Sequence, residues 1–333
     1  MVVENEKEEL HVHIGRILQE GLSDSTPAGL IFKAVDQLNR GLGCILDRDE
    51  QVELALLNAR AGEEAYKACA FTPSLTYTQK CLDILGTDNT VWTDHYELAL
   101  NMYNLLAELN YCQGNYHGSM QIVGRIFEKA KTFEDKFIAQ TCNTKSLMLM
   151  GKLDTALSSS LVLLRELGEP LPKKPGLGAI MAGLMMTKKA LRNKTDEYLI
   201  SLPEMTSNRI IKVMKTLVIL QDVAYLMGSN YFVCVTFKMI RLTLRYGHHG
   251  GSTSFSNYGM LMYAILGDLK GAYRFGQLAL TLSNKASPSI PATYVVVHGL
   301  ITHWRDNVVL TLNPLLKGHK VGLETGKLPC EKY

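Results

Sequence analysis

The sequence predicts an all-α protein, an α-solenoid built from antiparallel pairs of helices. The main observation is a glycine that recurs between two apolar helical stretches, at Gly114, Gly151, Gly228 and Gly267. The intervals are 37, 77 and 39 residues, and 77 is close to two periods with one copy degraded. Glycine adopts a positive φ without strain, so it can end a helix in a left-handed cap. A period of this length, with two helices per unit, is typical of an α-solenoid.

Two further observations support this fold class. An aromatic residue or leucine follows Gly114, Gly151 and Gly267 by two positions and Gly228 by three, and in the clearest copies a small residue comes three positions later, as in Tyr116 with Ser119 and Leu269 with Ala272. We expect the aromatic residue or leucine to begin the buried face of the next helix. We expect the small residue to let two helices approach closely. Strand signals are nearly absent, since the β-branched run at 294–297 is too isolated to build a sheet.

Four helices are predicted before the first clear pair. The first covers 8–22, with Leu10, Ile14, Ile17 and Leu18 on one apolar face. The turn and N-cap cluster at 23–27 starts the second helix, which carries an apolar face from residue 31 to 38 and ends near 39–41. The third covers 48–67. The fourth covers 74–85, and Pro73 lies at its start, where the first turn of a helix accepts a proline.

Helix pairs follow along the rest of the chain. Prolines and glycines interrupt them at 168–208, where one Met-rich helix is predicted over about 179–192. The predicted pairs are 97–113 with 116–131, 135–150 with 153–167, 208–227 with 231–246, 254–266 with 269–284, and 293–305 with 308–323.

Composition excludes several classes of protein. The 333 residues are 47% hydrophobic and 20% charged, as in an ordinary folded protein, and a net charge of +3 gives no argument for nucleic acid. The seven cysteines are scattered and never spaced C-x-x-C, which indicates reduced thiols rather than disulfides or zinc ligands. No signal peptide is visible and the longest apolar runs are too short to span a bilayer. We therefore expect a cytoplasmic protein without a transmembrane segment.

No catalytic, cofactor or metal site is predicted. The segment 322–328 resembles a phosphate-binding loop but has the wrong spacing and no hydroxyl after Lys327. His298 and His303 are five residues apart, which does not suit a zinc pair on a helix. His248 and His249 lie in a glycine-rich loop, where they could meet exposed carbonyls at a helix end or form a small-ligand or pH-sensing loop.

Polar residues on the first helices of the pairs are the candidate binding site. Asn104, Glu108 and Tyr111 share one face of a predicted helix. Lys145, Asp222 and Asn257 occur at comparable distances before their own glycines. Together the six could line a concave peptide-binding groove, or they could be ordinary solvated positions.

A basic run is the other unusual surface feature. Six cationic residues occur with no acidic residue between Glu169 and Asp196, interleaved with leucine, isoleucine and methionine. They could form an amphipathic surface for an anionic membrane or an acidic partner, or the solvated face of a packed helix. The six are Lys173, Lys174, Lys188, Lys189, Arg192 and Lys194.

A series of short motifs resembles a helical region of large multidomain signalling kinases. Those proteins join a serine/threonine-kinase-like domain, a STAND-type AAA ATPase, TPR-like helical repeats, a GAF sensor and often a histidine kinase. The motifs are IGRIL (14–18), IFKAVDQLNRG (31–41), ELALLNARAG (53–62), WTDHY (92–96), AELNY (107–111), AKTFEDK (130–136), SLPEM (201–205), RYG (245–247), YGML (258–261) and YRFGQLAL (273–280).

The resemblance covers nearly the whole chain and implies the helical connector between ATPase and sensor. It implies a lead-in at 1–45 after an ATPase portion, TPR-like pairs at 46–168 and 209–326, an irregular insertion at 169–208 and a tail at 327–333. The catalytic motifs of the family are missing here, so we expect no enzyme. The apolar, uncapped ends suggest a fragment. The expected function is a protein-interaction and signal-relay segment, and the alternative is an autonomous TPR-like adaptor that binds a peptide in its groove.

Overall fold

The computed structural model describes residues 4–22, 28–86, 89–249, 253–283 and 290–324, and this part of the chain is helical without a β-strand. It forms two compact units, Met1–Met150 and Gly151–Tyr333. The α-helices of the first unit are α1 (Glu4–Glu20), α2 (Ala28–Arg40), α3 (Arg48–Lys67), α4 (Phe71–Leu85), α5 (Val91–Asp94), α6 (Tyr96–Cys112), α7 (Tyr116–Lys129) and α8 (Phe133–Leu149). Those of the second are α9 (Leu153–Glu166), α10 (Leu177–Leu191), α11 (Asp196–Ile200), α12 (Asn208–Leu226), α13 (Tyr231–Tyr246), α14 (Thr253–Leu266), α15 (Leu269–Ser283), α16 (Ile290–Val296) and α17 (Leu312–Glu324).

Most predicted helices are confirmed to within a few residues, and neighbouring helices pack in pairs such as α3 with α4, α6 with α7, α12 with α13 and α14 with α15. The short helix α5 has no counterpart in the prediction. The N-cap cluster at 23–27 and the tail at 327–333 lie outside the described residues, as does most of the 322–328 segment. The predicted domain boundaries remain predictions.

The predicted helices at 293–305 and 308–323 are wrong in detail. After α16 the chain continues as a π-turn over Val297–Ile301 and a short 3₁₀ turn, and a second 3₁₀ turn precedes α17. The hydroxyl of Thr302 donates to the carbonyl of Val297, five residues back, at 2.9 Å. The side chain of Asn307 caps the second turn by accepting from the backbone N–H of Val309 at 3.0 Å. These side-chain bonds stabilise breaks that apolar spacing alone does not reveal.

The predicted left-handed glycines are confirmed. Gly114, Gly151, Gly228 and Gly267 have φ of +79°, +73°, +59° and +63°. At the end of α6 the N–H of Gly114 donates to the carbonyl of Tyr111 at 3.1 Å. The next N–H donates to the carbonyl of residue 110 at 2.9 Å. This pair of bonds is a Schellman cap, which satisfies the last carbonyls of the helix.

In the degraded copy of the repeat between Gly151 and Gly228, an asparagine takes the position of the left-handed glycine. Asn193 has φ +63° and follows the end of α10. Cys69, with φ +58°, holds the same position at the end of α3. The left-handed residues 69, 114, 151, 193, 228 and 267 therefore follow one another at 35 to 45 residues. Asparagine tolerates this conformation better than most residues, whereas cysteine pays a steric cost of roughly 1 kcal/mol.

Close approach within the pairs is also confirmed. Ser119 and Ala272 are fully buried. The hydroxyl of Ser119 on α7 donates to the carbonyl of Ala107 on α6 at 2.8 Å, and Ser74 on α4 does the same to Gly62 on α3 at 2.7 Å. Small side chains at these contacts let the two backbones approach to hydrogen-bonding distance.

The predicted apolar face of α1 does not form a buried stripe. Leu10, Ile14 and Ile17 are 55%, 37% and 56% exposed, whereas Val12 and Gly15 are buried. A Cβ on Gly15 would lie 2.6 Å from the side chain of Leu38 on α2. Because α2 packs against this glycine, α1 is rotated away from the orientation that its largest side chains suggest.

The irregular segment at 168–208 is tied to α13. Lys238 on α13 forms a salt bridge of 2.9 Å with Glu169, and Thr187 on α10 donates to the carbonyl of Phe237 at 3.4 Å. His248 follows α13 in an isolated parallel β-bridge with Glu204, and its Nε2 lies 2.8 Å from the carbonyl oxygen of Leu199. That histidine thus meets a helix-terminal carbonyl, the first of the two roles considered for it.

Candidate functional site

The structure places four of the six candidate residues on two neighbouring helices. Glu108 and Tyr111 lie on α6 and Lys145 lies on α8. Tyr66 reaches them from the end of α3. Asn104 occupies the same stripe of α6, one turn before Glu108. We call this surface the α3–α6–α8 face, formed by Tyr66, Asn104, Glu108, Tyr111, Cys112 and Lys145.

Local structure fixes the start of α8 against α6. Thr132 and Asp135 form a capping box at the N-terminus of α8, in which each side chain accepts from the other residue's backbone N–H. The hydroxyl of Tyr96, the first residue of α6, donates to Oδ2 of Asp135 at 2.6 Å. These hydrogen bonds hold the pKa of Asp135 below its usual range, with the bond from Tyr96 the largest cause. They set the orientation in which α8 presents Lys145.

Tyr66 and Glu108 join α3 to α6. The Tyr66 hydroxyl donates to Oε2 of Glu108 at 3.2 Å. Burial, together with the neighbouring carboxylate, raises the pKa of Tyr66 well above its usual value. The phenol therefore stays protonated and remains a donor throughout the physiological range.

Two opposite charges lie on this face, the Glu108 carboxylate on α6 and the Lys145 ammonium on α8. The Lys145 ammonium lies 5.8 Å from the centre of the Tyr111 ring, within the range of a cation–π interaction. Among the described residues neither Glu108 nor Lys145 takes part in a salt bridge. Both charges are half-buried, so each can bind an opposite charge from another polypeptide.

Two cysteines border these charges. Cys112 is exposed, and burial of its sulfur followed by the Glu108 carboxylate raises the pKa of its thiol to about 11, while Lys145 lowers it. Cys142 is buried beside Ser119, with Sγ and Oγ 3.3 Å apart, and burial raises the pKa of that thiol too. Both thiols are protonated at neutral pH, which does not suit a nucleophile.

Asn104 carries an unusual polar group. It is 6% exposed, and its Oδ1 is buried with no hydrogen-bond partner among the described residues. Leaving such an acceptor unsatisfied costs about 1–3 kcal/mol. Unsatisfied buried acceptors are uncommon in folded proteins and often mark functional positions.

Tyr66 and Cys112 are not among the residues predicted from the sequence. The sequence does contain a signal for Tyr66. It lies three residues before the left-handed Cys69, just as Tyr111 lies three residues before Gly114. Since Cys69 is not a glycine, this copy of the repeat has no obvious marker in the sequence. Cys112 follows Glu108 by four residues and thus lies on the same side of α6.

The other two candidates lie in the second unit. Asp222 is exposed on α12. Asn257 on α14 is 7% exposed and donates through Nδ2 to Oε1 of Gln221 at 2.9 Å. Gln221 in turn donates to Thr236 on α13 at 2.7 Å. This buried chain of side-chain bonds joins three helices, so Asn257 has an internal structural role.

Within the described residues, no three or more histidine, cysteine and acidic side chains are grouped so as to hold a metal ion. No helix in the same part of the chain combines the length and apolar character that crossing a membrane requires.

Comparison with known proteins gives one informative similarity. No protein-family model matches the chain. The chain is similar to hybrid signal transduction histidine kinase G of Dictyostelium discoideum, with 23% identity over 376 residues. The alignment takes in all of this chain and 11% of that kinase, so the chain spans about a ninth of the length of the relative that it matches. The chain is thus similar to one segment of a signalling kinase.

Proposed function

We propose that this chain is a TPR-like helical-repeat segment of a cytoplasmic signalling protein of the ATPase and kinase type, without catalytic activity of its own. It binds an adjoining domain or a regulatory protein and relays that protein's state. The observation that carries the proposal is the α3–α6–α8 face, in which unpaired opposite charges lie beside two tyrosines and an unsatisfied amide. Similarity to a segment of a histidine kinase supports the signalling context.

The TPR-like description rests on a repeated backbone pattern. First helices end in a left-handed residue every 35 to 45 residues. In two pairs a serine on the second helix donates to a backbone carbonyl twelve residues earlier, as Ser74 does to Gly62 and Ser119 to Ala107. Successive pairs built in this way align their first helices side by side. In the first unit these helices are α3 and α6, with α8 packed beside α6.

The chemistry of the face suits a polypeptide segment. Glu108 and Lys145 can bind a basic and an acidic side chain, and Tyr66 and Tyr111 provide rigid apolar surface between them. A partner that contacts α3, α6 and α8 together would favour one arrangement of these helices over others, which is the physical requirement for a relay.

Photocross-linking tests the proposal. The photoreactive amino acid p-benzoylphenylalanine is placed at position 111 in the cells that produce the protein, with the same substitution at Leu46, which is 88% exposed and away from the face, as the control. We expect a specific polypeptide cross-link from position 111 that Lys145→Glu removes. Equal yields at 111 and 46, or a cross-link unchanged by Lys145→Glu, would overturn the proposal.

The identity of the cross-linked peptide separates the proposal from the adaptor alternative. A peptide from an ATPase, kinase or sensor domain supports the connector function. A peptide from an unrelated protein supports an autonomous adaptor instead.

A further inference from the structure

We infer that the second unit carries a site for anionic lipid bilayers, in which a phosphate headgroup occupies a cationic cavity beside an exposed apolar stripe of α10. The cavity has a volume of about 440 Å³ and lies where the end of α10 meets α14 and the start of α15. Its walls are Lys188, Lys189, Leu191, Arg192, Tyr258, Met262, Asp268, Gly271, Arg274 and Phe275. This inference concerns a different unit from the proposed polypeptide site and is independent of it.

The cavity is electropositive. Lys188, Lys189 and Arg192 form no salt bridge among the described residues. Arg274 is held in the wall by Asp196, with Nη2 and Oδ1 2.7 Å apart. The single acidic residue of the lining, Asp268, accepts from the backbone N–H of Gly271 at 2.8 Å and thereby caps α15. Three cations are therefore left to bind an anion.

A buried tyrosine also lines the cavity. Tyr258 is 1% exposed, and its ring packs edge-on against Phe275 at 4.8 Å. Although Tyr258 lines the cavity, its hydroxyl makes no hydrogen bond to another described residue. Burial and then the nearby Asp268 raise the pKa of Tyr258 to about 12, so the hydroxyl remains a donor. A phosphate oxygen is an acceptor that would satisfy it.

The apolar stripe favours a bilayer over a free phosphate. Leu177, Met181 and Met185 recur at four-residue spacing on α10 and are 74%, 42% and 66% exposed. Ile180 and Leu184 lie on the adjacent side of the helix and pack in the core. The same exposed side continues into Lys188 and Arg192, as helical spacing requires.

Charges at both ends of the stripe match an anionic membrane surface. Lys173 and Lys174 precede it, and Lys188, Lys189 and Arg192 follow it, with no acidic residue between positions 169 and 196. An exposed apolar helix face flanked by cations is the arrangement that lies at the headgroup boundary of a bilayer. The structure thus joins a headgroup cavity and an inserting stripe on one helix.

Vesicle flotation of the purified chain tests the inference. The vesicles contain phosphatidylcholine alone, with phosphatidylserine, or with phosphatidic acid at equal surface charge. We expect binding that is strongest with phosphatidic acid, because its phosphomonoester can enter the cavity. Lys189→Glu should weaken that binding at least about tenfold, whereas Lys215→Glu, an equal charge change at an exposed site on α12, should leave it within about twofold.

Two milder variants keep the test informative if Lys189→Glu misfolds. Tyr258→Phe removes one hydroxyl and should weaken both vesicle binding and binding of glycerol 3-phosphate. Met181→Ser combined with Met185→Ser should weaken only vesicle binding. Equal binding to all vesicles, equal loss with Lys215→Glu, or phosphate binding without vesicle binding would overturn the inference. So would binding of poly-glutamate in the absence of vesicle binding, which would indicate an acidic protein partner.

Discussion

The hydroxyl of Tyr66 donates a hydrogen bond of 3.2 Å to the carboxylate of Glu108, joining the end of α3 to the middle of α6. This contact fixes one charge of the α3–α6–α8 face, and Lys145 on α8 supplies the opposite one. Both charges act on the pKa of the Cys112 thiol, so this thiol reports on the electrostatics of the face.

The first prediction uses that thiol. Glu108→Gln removes a charge that raises the pKa of Cys112, and Lys145→Gln removes one that lowers it. At pH 8 the rate of alkylation follows the thiolate fraction. Iodoacetamide should therefore alkylate Cys112 faster in Glu108→Gln and slower in Lys145→Gln, by roughly two- to tenfold. Peptide mass spectrometry measures both rates, and a change in the same direction for both variants would contradict the arrangement.

The second prediction compares two glycines in open space. A Cβ would meet no atom within 4 Å at either Gly114 or Gly124, but Gly114 has φ +79° whereas Gly124 lies within α7. Gly114→Ala should lower the free energy of unfolding by about 1 kcal/mol. Gly124→Ala should raise it by about 0.5–1 kcal/mol, since alanine favours a helix interior. Urea denaturation measures the free energy of unfolding of both variants. The two glycines differ in backbone conformation but not in the space around them, so opposite changes in that free energy would confirm the left-handed conformation of Gly114.

The third prediction concerns close packing of α14 on α15. A Cβ on Gly259 would lie 2.8 Å from the backbone oxygen of Ala272, which cannot move without shifting α15. Gly259→Ala should therefore destabilise the protein by about 1–3 kcal/mol. Gly178→Ala on α10 is the control, since a Cβ there meets nothing within 4 Å. Equal thermal stability of the two variants would show that the helices are farther apart.

The fourth prediction is a pH dependence. Hydrogen bonds lower the pKa of Asp135 in the folded protein, so they contribute stability above the carboxyl pKa of the unfolded chain, and this contribution is lost as pH falls through the folded pKa. Tyr96→Phe removes the largest cause. The variant should be less stable than the wild type at pH 7, by an amount that shrinks toward pH 3. Denaturation at both pH values measures this. Tyr116→Phe, whose hydroxyl makes no hydrogen bond to a described residue, should show no such trend.

Local signals explain what sequence analysis predicted correctly. A glycine that must adopt positive φ is visible in the sequence, and so is the apolar period of the helix beside it, as at Gly114 and Gly228. Cys69 and Asn193 hold the same conformation without that marker.

Tertiary packing explains the remainder. Ile14 and Ile17 are exposed because α2 packs against Gly15 instead, a choice that the spacing of large side chains does not encode. The stripe of Asn104, Glu108 and Tyr111 followed from helical spacing alone. Tyr66 joins it through a contact across 42 positions of the chain. The spacing of apolar residues within α3 does not predict that contact.

The α3–α6–α8 face is the proposed binding surface for a polypeptide partner. The most direct test of this proposal is the alkylation rate of Cys112 while a synthetic peptide, taken from the segment cross-linked at position 111, is titrated into the purified chain. We predict saturable protection of Cys112 that Lys145→Glu abolishes. A peptide that binds without slowing alkylation of Cys112, or that protects the Lys145→Glu variant equally, would place the binding surface elsewhere.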